Sequence, residues 1–259
     1  MQTMIQGPQG QLATFKMGSG QALPLLFVHA DPGRALQWKE AMDLVAKDRV
    51  VAAYDSRGAG ESSPAADDDY SYEGRAADLG VVADSFKFKT FVIVAHSASA
   101  AVALAYAAQH SDRVVGIFMV DPVTDPRALP AKVRDGFVKD MAGPKSLEVF
   151  TAYVGSIAGK NAAVRKRVLA DAALLDPAAR TGVAKAAGDW NPEINLKAYK
   201  GPVFILSTPA TDNAGALYRL RTDIPHEVVQ TEGHWLQLDH PEVVAEAIKT
   251  FVAKVESLK

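Results

Sequence analysis

The chain has 259 residues, of which 48% are hydrophobic and 22% are charged. The 28 Lys and Arg side chains nearly balance the 30 Asp and Glu side chains, which leaves a formal net charge of −2 at pH 7. A chain of this length can bury a large core, and without a basic excess it is not expected to bind nucleic acid. The absence of cysteine excludes disulfides, thiolate metal sites and a cysteine nucleophile.

The N-terminal segment, residues 1–20, lacks a positive flank followed by an apolar stretch, so it does not have the pattern of a secretion signal. No apolar run approaches the roughly 18 residues that a membrane-spanning helix needs. We therefore expect a cytoplasmic protein with no membrane partner, present as a monomer or a homodimer.

Short apolar runs alternate with longer segments of helical spacing along most of the chain. Most of the runs are continuously apolar, as strands covered on both faces are, and they predict strands at residues 23–29, 50–54, 91–95, 114–120, 203–206 and 227–230. Residues 98–109 and a C-terminal stripe have helical spacing; the stripe contains Val244, Ile248, Phe251 and Val255. This alternation predicts an α/β fold with a parallel sheet.

One long segment interrupts the alternation. Residues 127–196 contain helical patterns but no convincing strand. They predict a helical insertion that divides the core into residues 1–126 and 197–259. We interpret the insertion as a substrate lid, because insertions on the ligand side of a parallel sheet often cover the site; the alternative is that it only covers the edge of the sheet.

The predicted strand at residues 91–95 runs through His96 directly into Ser97 and then into a helix. A sharp turn from strand to helix exposes a nucleophilic serine and requires small residues two positions before and after it. Ala95 and Ser99 meet this requirement where the usual pattern, G-x-S-x-G, has glycine. Ser97 is therefore the candidate nucleophile, and the alternative is an ordinary serine that caps the helix.

Four segments together resemble the α/β-hydrolase family over nearly the whole chain. They are a strand that ends in His29-Ala30, the loop at residues 55–62 with the sequence Asp-Ser-Arg-Gly-Ala-Gly-Glu-Ser, the helix and strand of residues 72–96, and Gly233-His234-Trp235 followed by an amphipathic helix. The resemblance implies an α/β-hydrolase fold, in which helices cover both faces of a mostly parallel sheet. It also implies that His234 is the catalytic histidine.

A serine nucleophile needs a base, and the base needs a carboxylate that holds its tautomer. With His234 as the base, we favour Asp212 as the acid, although Thr211 occupies the register at which the family carries its carboxylate. Asp121, at the end of an earlier predicted strand, is the alternative, and Asp223 or a site without an acid is also open. Chain order does not decide, because Asp121, Asp212 and Asp223 all lie between the serine and the histidine.

Backbone N–H groups are expected to stabilise the negative charge that develops on the substrate oxygen. The resemblance points to Ala98, directly after the candidate nucleophile, and to Ala30 in the loop after the first apolar strand. We assign contact with substrate to His29, Asp31 and Trp235. For Asp31 there is a second interpretation, in which its carboxylate caps its own turn.

The sequence predicts neither a metal nor a cofactor, because it has no metal-binding spacing of histidine and acid and its glycine patterns fall short of nucleotide-binding motifs. The predicted function is that of a serine hydrolase with a small-molecule acyl substrate, a carboxylic ester above all. The same groups support lactone hydrolysis, carbon–carbon bond hydrolysis and cofactor-free perhydrolysis in this family. A ligand-sensing regulator without turnover is a further alternative, because residues 96–100 resemble the corresponding turn of butenolide receptors and stress regulators.

Overall fold

A computed structural model describes residues 2–258. Within this range eight strands form one sheet in the order β1-β2-β4-β3-β5-β6-β7-β8. The strands are β1 Gln2–Gln6, β2 Gln11–Met17, β3 Ala22–Val28, β4 Arg49–Tyr54, β5 Phe91–His96, β6 Val114–Val120, β7 Val203–Ser207 and β8 His226–Val228. β1 and β2 are antiparallel to their neighbours, and every pairing among β3 to β8 is parallel.

Eleven helices accompany the sheet in the described part of the chain. They are α1 Lys39–Val45, α2 Tyr72–Ser85, α3 Ser99–Gln109, α4 Ala131–Met141, α5 Ser146–Ile157, α6 Ala162–Leu174, α7 Pro177–Asp189, α8 Pro192–Ala198, α9 Leu217–Leu220, α10 Leu236–Asp239 and α11 Pro241–Glu256. No helix in residues 2–258 is both long and apolar enough to cross a membrane.

The apolar strands build a core on each face of the sheet. Side chains alternate between the faces along a strand, so Ile93 of β5 packs with α2 and α3, whereas Val92 and Val94 pack with α1 and α11. Both faces are therefore covered, which explains why these strands are continuously apolar in sequence. The predicted class, a mostly parallel sheet between helical layers, is confirmed.

A third apolar cluster lies among the helices between β6 and β7. This helical segment, α4 to α8, is called the cap below. Met141, Phe150 and Val168 are fully or almost fully buried within it, and Tyr70 and Trp235 of the sheet domain belong to the same cluster. The segment predicted at residues 127–196 is thus helical, with its helices running from Ala131 to Ala198.

Candidate active site

Ser97 and Asp121 follow two neighbouring parallel strands, β5 and β6, at the same edge of the sheet. Both residues have positive φ angles, 57° for Ser97 and 41° for Asp121, a region that residues with side chains rarely adopt. The strained backbone is held by hydrogen bonds between the two strand ends. The Ser97 amide donates to Val120 O at 3.0 Å, and the Val123 amide donates to Ser97 O at 3.1 Å. Such strain is characteristic of functional sites.

His234 lies in the loop before α10, and its ring meets the carboxylate of Asp121. The distance from His234 Nδ1 to Asp121 Oδ2 is 2.5 Å, and the two side chains are 12% and 1% exposed. The His234 amide also donates to the carbonyl oxygen of Ile157 at 3.0 Å, so the last residue of α5 in the cap helps to place the histidine. Ser97 Oγ has no hydrogen-bond partner within residues 2–258, and it lines the same cavity as His234 and Asp121.

The Asp121 carboxylate accepts further hydrogen bonds from the segment that follows β7. The Thr208 amide donates to Oδ1 at 2.8 Å, the Thr208 hydroxyl donates to Oδ2 at 3.2 Å, and the Thr211 hydroxyl donates to Oδ1. Burial alone would raise the pKa of Asp121, but His234 and these hydrogen bonds outweigh it and hold the pKa below its usual value. Asp121 is therefore an ionised acceptor beside the histidine.

Asp212, the acid that the sequence favoured, does not contact His234. Its carboxylate accepts hydrogen bonds from the Tyr218 hydroxyl and, at 2.7 Å, from Arg219 Nη2, and its side chain is 35% exposed. The Tyr218 and Arg219 hydrogen bonds lower the pKa of Asp212. Asp223, the third candidate, is paired with Arg221 at the surface. The geometry thus corrects the preference: Asp121 occupies the position expected of Asp212.

The reason for this correction is visible at Thr211. It stands where the family resemblance implies a carboxylate, and its hydroxyl points to Asp121 instead of to the histidine. The carboxylate comes from the neighbouring strand β6, and the threonines after β7 orient it. Sequence analysis did not single out Thr208 or Thr211 as functional residues, although the missing acid at position 211 was the signal that another residue must supply the charge.

His96 connects the candidate nucleophile to the candidate base. Its Nε2 lies 2.9 Å from the carbonyl oxygen of His234, and its Nδ1 lies 3.0 Å from Gln237 Nε2. Since a carbonyl can only accept, Nε2 carries the hydrogen and Nδ1 accepts from the glutamine amide. Burial, followed by the nearby His234 ring, lowers the pKa of His96 well below its ordinary value. His96 is therefore a neutral donor that holds the backbone of His234.

This neutral histidine predicts a pH dependence of stability. An unfolded histidine binds a proton below about pH 6.5, whereas the folded His96 ring stays neutral, so stability should be full above that pH and fall as the pH drops below it. The slope approaches about 1.4 kcal/mol per pH unit. Urea unfolding at pH 7.5, 6.5 and 5.5 measures it, with His96→Gln as the control whose profile should be flatter. Parallel profiles for the two proteins would contradict the assignment.

The backbone N–H groups of Ala30, Asp31 and Ala98 are among those near this edge that have no hydrogen-bond partner in the described residues. Ala98 directly follows Ser97, and Ala30 and Asp31 form the loop after β3. Buried N–H groups are almost always paired in folded proteins, so free donors here are available for a ligand. Ala30 and Ala98 are the two that the sequence predicted, and Asp31 is an additional donor that it did not.

The side chains of the three residues assigned to substrate contact pack against or bond to other residues of the protein. His29 is fully buried, and its ring accepts from the Ser56 amide at 2.8 Å. The Asp31 carboxylate binds Arg75 Nη1 at 2.9 and 2.7 Å. Trp235 is 1% exposed and packs its ring edgewise against the candidate base at a centroid distance of 5.1 Å. None of the three is among the residues that line the cavity, so their side chains support the site rather than face it.

The cavity in front of Ser97 has a volume of about 540 Å³. The cap supplies most of its apolar wall, with residues that include Val133, Phe137, Val138 and Ile157, and Leu129 lines the cavity from the segment just before α4. Tyr153 of α5 also lines it, and burial together with the charge of Asp121 raises the pKa of the Tyr153 hydroxyl. The phenol therefore stays protonated, and sequence analysis did not single out Tyr153.

A larger groove, of about 990 Å³, lies between β7 and α11. No serine or histidine is among the described residues that line it, so it offers no nucleophile with a base. Across residues 2–258 no three His, Asp or Glu side chains are grouped as metal ligands. Among the described residues, the combination of serine, histidine and buried carboxylate at one cavity identifies the smaller one as the candidate site.

Comparison with known proteins agrees with this architecture. Solved structures with similar folds include Est816, described as an N-acyl homoserine lactone degrading enzyme (19% identity, 96% of this chain and 100% of that chain covered, TM-score 0.83). Others are a thermophilic esterase from Thermogutta terrifontis (21%, 98% and 99%, 0.82) and a bromoperoxidase from Bacillus anthracis (18%, 98% and 100%, 0.85). A search of curated proteins gave no match. The sequence profile of the alpha/beta hydrolase fold matches residues 24–241, and the chain therefore belongs to the alpha/beta hydrolase family.

Proposed function

We propose that this alpha/beta hydrolase is a serine hydrolase that cleaves a small carboxylic ester through an acyl-enzyme at Ser97. One observation carries the proposal: Ser97, on a strained turn, shares a cavity with a histidine whose Nδ1 is 2.5 Å from a buried carboxylate. A serine hydroxyl is a weak nucleophile unless a base takes its proton. His234 with Asp121 supplies a base in a defined tautomer, because ionised Asp121 requires the hydrogen on Nδ1 and leaves Nε2 free.

The reaction begins when Ser97 Oγ attacks the ester carbonyl and His234 Nε2 takes the serine proton. The tetrahedral intermediate expels the alcohol, which receives the proton from His234, and the acyl group remains on Ser97. Water then attacks the acyl-enzyme with the same histidine as base. Asp121 stays ionised throughout and stabilises the imidazolium that forms in each step.

The developing oxyanion needs donors that are already in place. The N–H of Ala98 is one, and the loop after β3 supplies the other from Ala30 or Asp31. These N–H groups without a partner therefore lie after the end of β3 and at the start of α3. The Asp31 carboxylate is paired with Arg75, and the guanidinium offsets its negative charge near the oxyanion.

Covalent labelling tests this assignment. A fluorophosphonate should modify Ser97, and peptide mapping by mass spectrometry locates the label. Ser156, the other described serine that lines this cavity, should stay unlabelled, because its hydroxyl already donates to Tyr153 O at 2.7 Å. Ser97→Ala is the control and should lose both the label and turnover of p-nitrophenyl acetate. A label on another serine, or undiminished turnover by Ser97→Ala, would refute the proposal. A labelled wild-type protein without turnover would favour the ligand-sensing alternative.

The apolar cap wall indicates that the cavity takes the hydrocarbon part of the substrate, and we propose that the cap acts as the lid. Each buried methylene contributes about 0.8 kcal/mol, so kcat/KM for p-nitrophenyl esters should rise about fourfold per added methylene until the acyl chain fills the cavity. A series from acetate to octanoate measures the limit. Phe137→Ala enlarges the cavity and should shift the optimum to a longer acyl chain. An unchanged optimum would show that this cavity does not bind the acyl chain.

A further inference from the structure

Ser99 makes a hydrogen bond in addition to providing the small side chain that the turn requires. It is the first residue of α3, it is fully buried, and its hydroxyl donates to the carbonyl oxygen of His29 at the end of β3. The turn around the nucleophile needs only a small side chain at this position, and glycine would satisfy it. The hydroxyl therefore has a separate role, which is to join the start of α3 to the loop after β3.

The next peptide of the same loop is also held by its carbonyl. Since the Ser56 amide donates to His29 Nε2 at 2.8 Å, the hydrogen of this ring is on Nδ1, which donates to Ala30 O at 2.7 Å. Two consecutive carbonyl oxygens, those of His29 and Ala30, are thus fixed by side chains. In a trans peptide the C=O and N–H bonds point to opposite sides, so the N–H groups of Ala30 and Asp31 are fixed as well.

We infer that Ser99 is a positioning residue that keeps the N–H groups of the loop after β3 available to the oxyanion. This inference rests on the proposed function. If the hydroxyl is removed, the peptide between His29 and Ala30 is free to rotate, and rotation would present a carbonyl oxygen to the developing negative charge. Fixed donors are effective because they need no reorganisation during the reaction.

The expected effect falls on the rate rather than on substrate binding. Removing an oxyanion donor outright lowers kcat by about 10²–10³-fold; Ser99→Ala leaves the donor present but unheld, so we expect a loss of about 10- to 100-fold in kcat with little change in KM. Ser99→Gly should behave in the same way. Ser99→Cys keeps the size and a weak donor, and its kcat should lie between those of Ser99→Ala and the wild type.

The test compares these variants by kcat per active site, counted from the end point of fluorophosphonate labelling, and by the inhibition constant of an alkyl boronic acid, which forms a tetrahedral adduct with serine. We expect the boronic acid to bind more weakly by about the factor by which kcat falls, with an unchanged pH profile. Thr14→Val is the matched control: it removes a buried hydroxyl that donates to the Thr3 carbonyl at 2.8 Å in the β1–β2 hairpin. It should lower only the melting temperature.

A purely structural role for Ser99 predicts a different result. Ser99→Ala would then resemble Thr14→Val, with a lower melting temperature but unchanged kcat per labelled site and unchanged boronic acid affinity, and this outcome would overturn the inference. Should Ser99→Ala fail to fold, the same comparison is made with Ser99→Cys. The proposed function is tested separately, with Ser97→Ala. Turnover that persists in this variant would overturn both the proposed function and the role of Ser99.

Discussion

Replacing Asp121 by asparagine is expected to lower kcat by up to about 10⁴-fold without unfolding the protein. The asparagine carbonyl can still accept the hydrogen bonds that Thr208 and Thr211 give to Oδ1. Its amide group then faces His234 and donates to Nδ1, which puts the ring hydrogen on Nε2. A ring protonated at Nε2 cannot take the proton of Ser97, so the attack loses its base.

Asp212→Asn is the matched control for this experiment. It removes a carboxylate that is bonded to Tyr218 and Arg219 at the surface, and its kcat should remain near that of the wild type. Steady-state kinetics on one p-nitrophenyl ester, with circular dichroism as the check on folding, distinguish the two. The opposite pattern, in which Asp212→Asn is inactive and Asp121→Asn is near normal, would show that the histidine turns to a different acid during the reaction.

The strands that carry this site were predictable because their environment is uniform. β3 to β7 are covered on both faces, so every residue of their central parts is apolar and the pattern stands out. The antiparallel pair β1 and β2 was not predicted. β1 has the sequence Gln-Thr-Met-Ile-Gln, and four of its five residues are exposed, so no apolar pattern marks it. Its pairing with β2 at the edge of the sheet gives it its structure.

Prediction within the candidate site was limited by contacts between distant parts of the chain. Local patterns singled out the candidates Ser97 and His234. They did not select the carboxylate that contacts His234, because this contact joins Asp121 to a residue 113 positions away. Sequence analysis also assigned substrate contact to His29 and Asp31. Their side chains instead bind Ser56 and Arg75, which are 27 and 44 positions away along the chain.

A large loss of stability is expected from Arg75→Met. Arg75 and Asp31 are 2% and 8% exposed, and Arg75 Nη1 reaches both carboxylate oxygens. Removing the guanidinium leaves a buried carboxylate without its partner, and breaking a buried pair in this way costs about 3–5 kcal/mol. This is a large part of the roughly 5–15 kcal/mol that keeps a domain folded. Urea unfolding measures the loss, and Lys185→Met, in an exposed pair with Asp189, is the control at well under about 1 kcal/mol.

Removing both charges should restore part of this stability. In the pair Asp31→Asn with Arg75→Met no buried charge remains, and since Arg75 Nε and Nη2 already lack partners among the described residues, the double variant also removes two unsatisfied donors. The double variant should therefore be more stable than Arg75→Met alone.

The loss of stability in Arg75→Met should also depend on pH. Because an unpaired buried carboxylate takes up a proton, the loss should be smaller at pH 5 than at pH 8. The guanidinium of Arg75 also lies over the Tyr72 ring, 5.1 Å from its centroid. If the double variant is no more stable than Arg75→Met and the loss of stability does not depend on pH, the arginine stabilises the protein through this packing rather than through its charge.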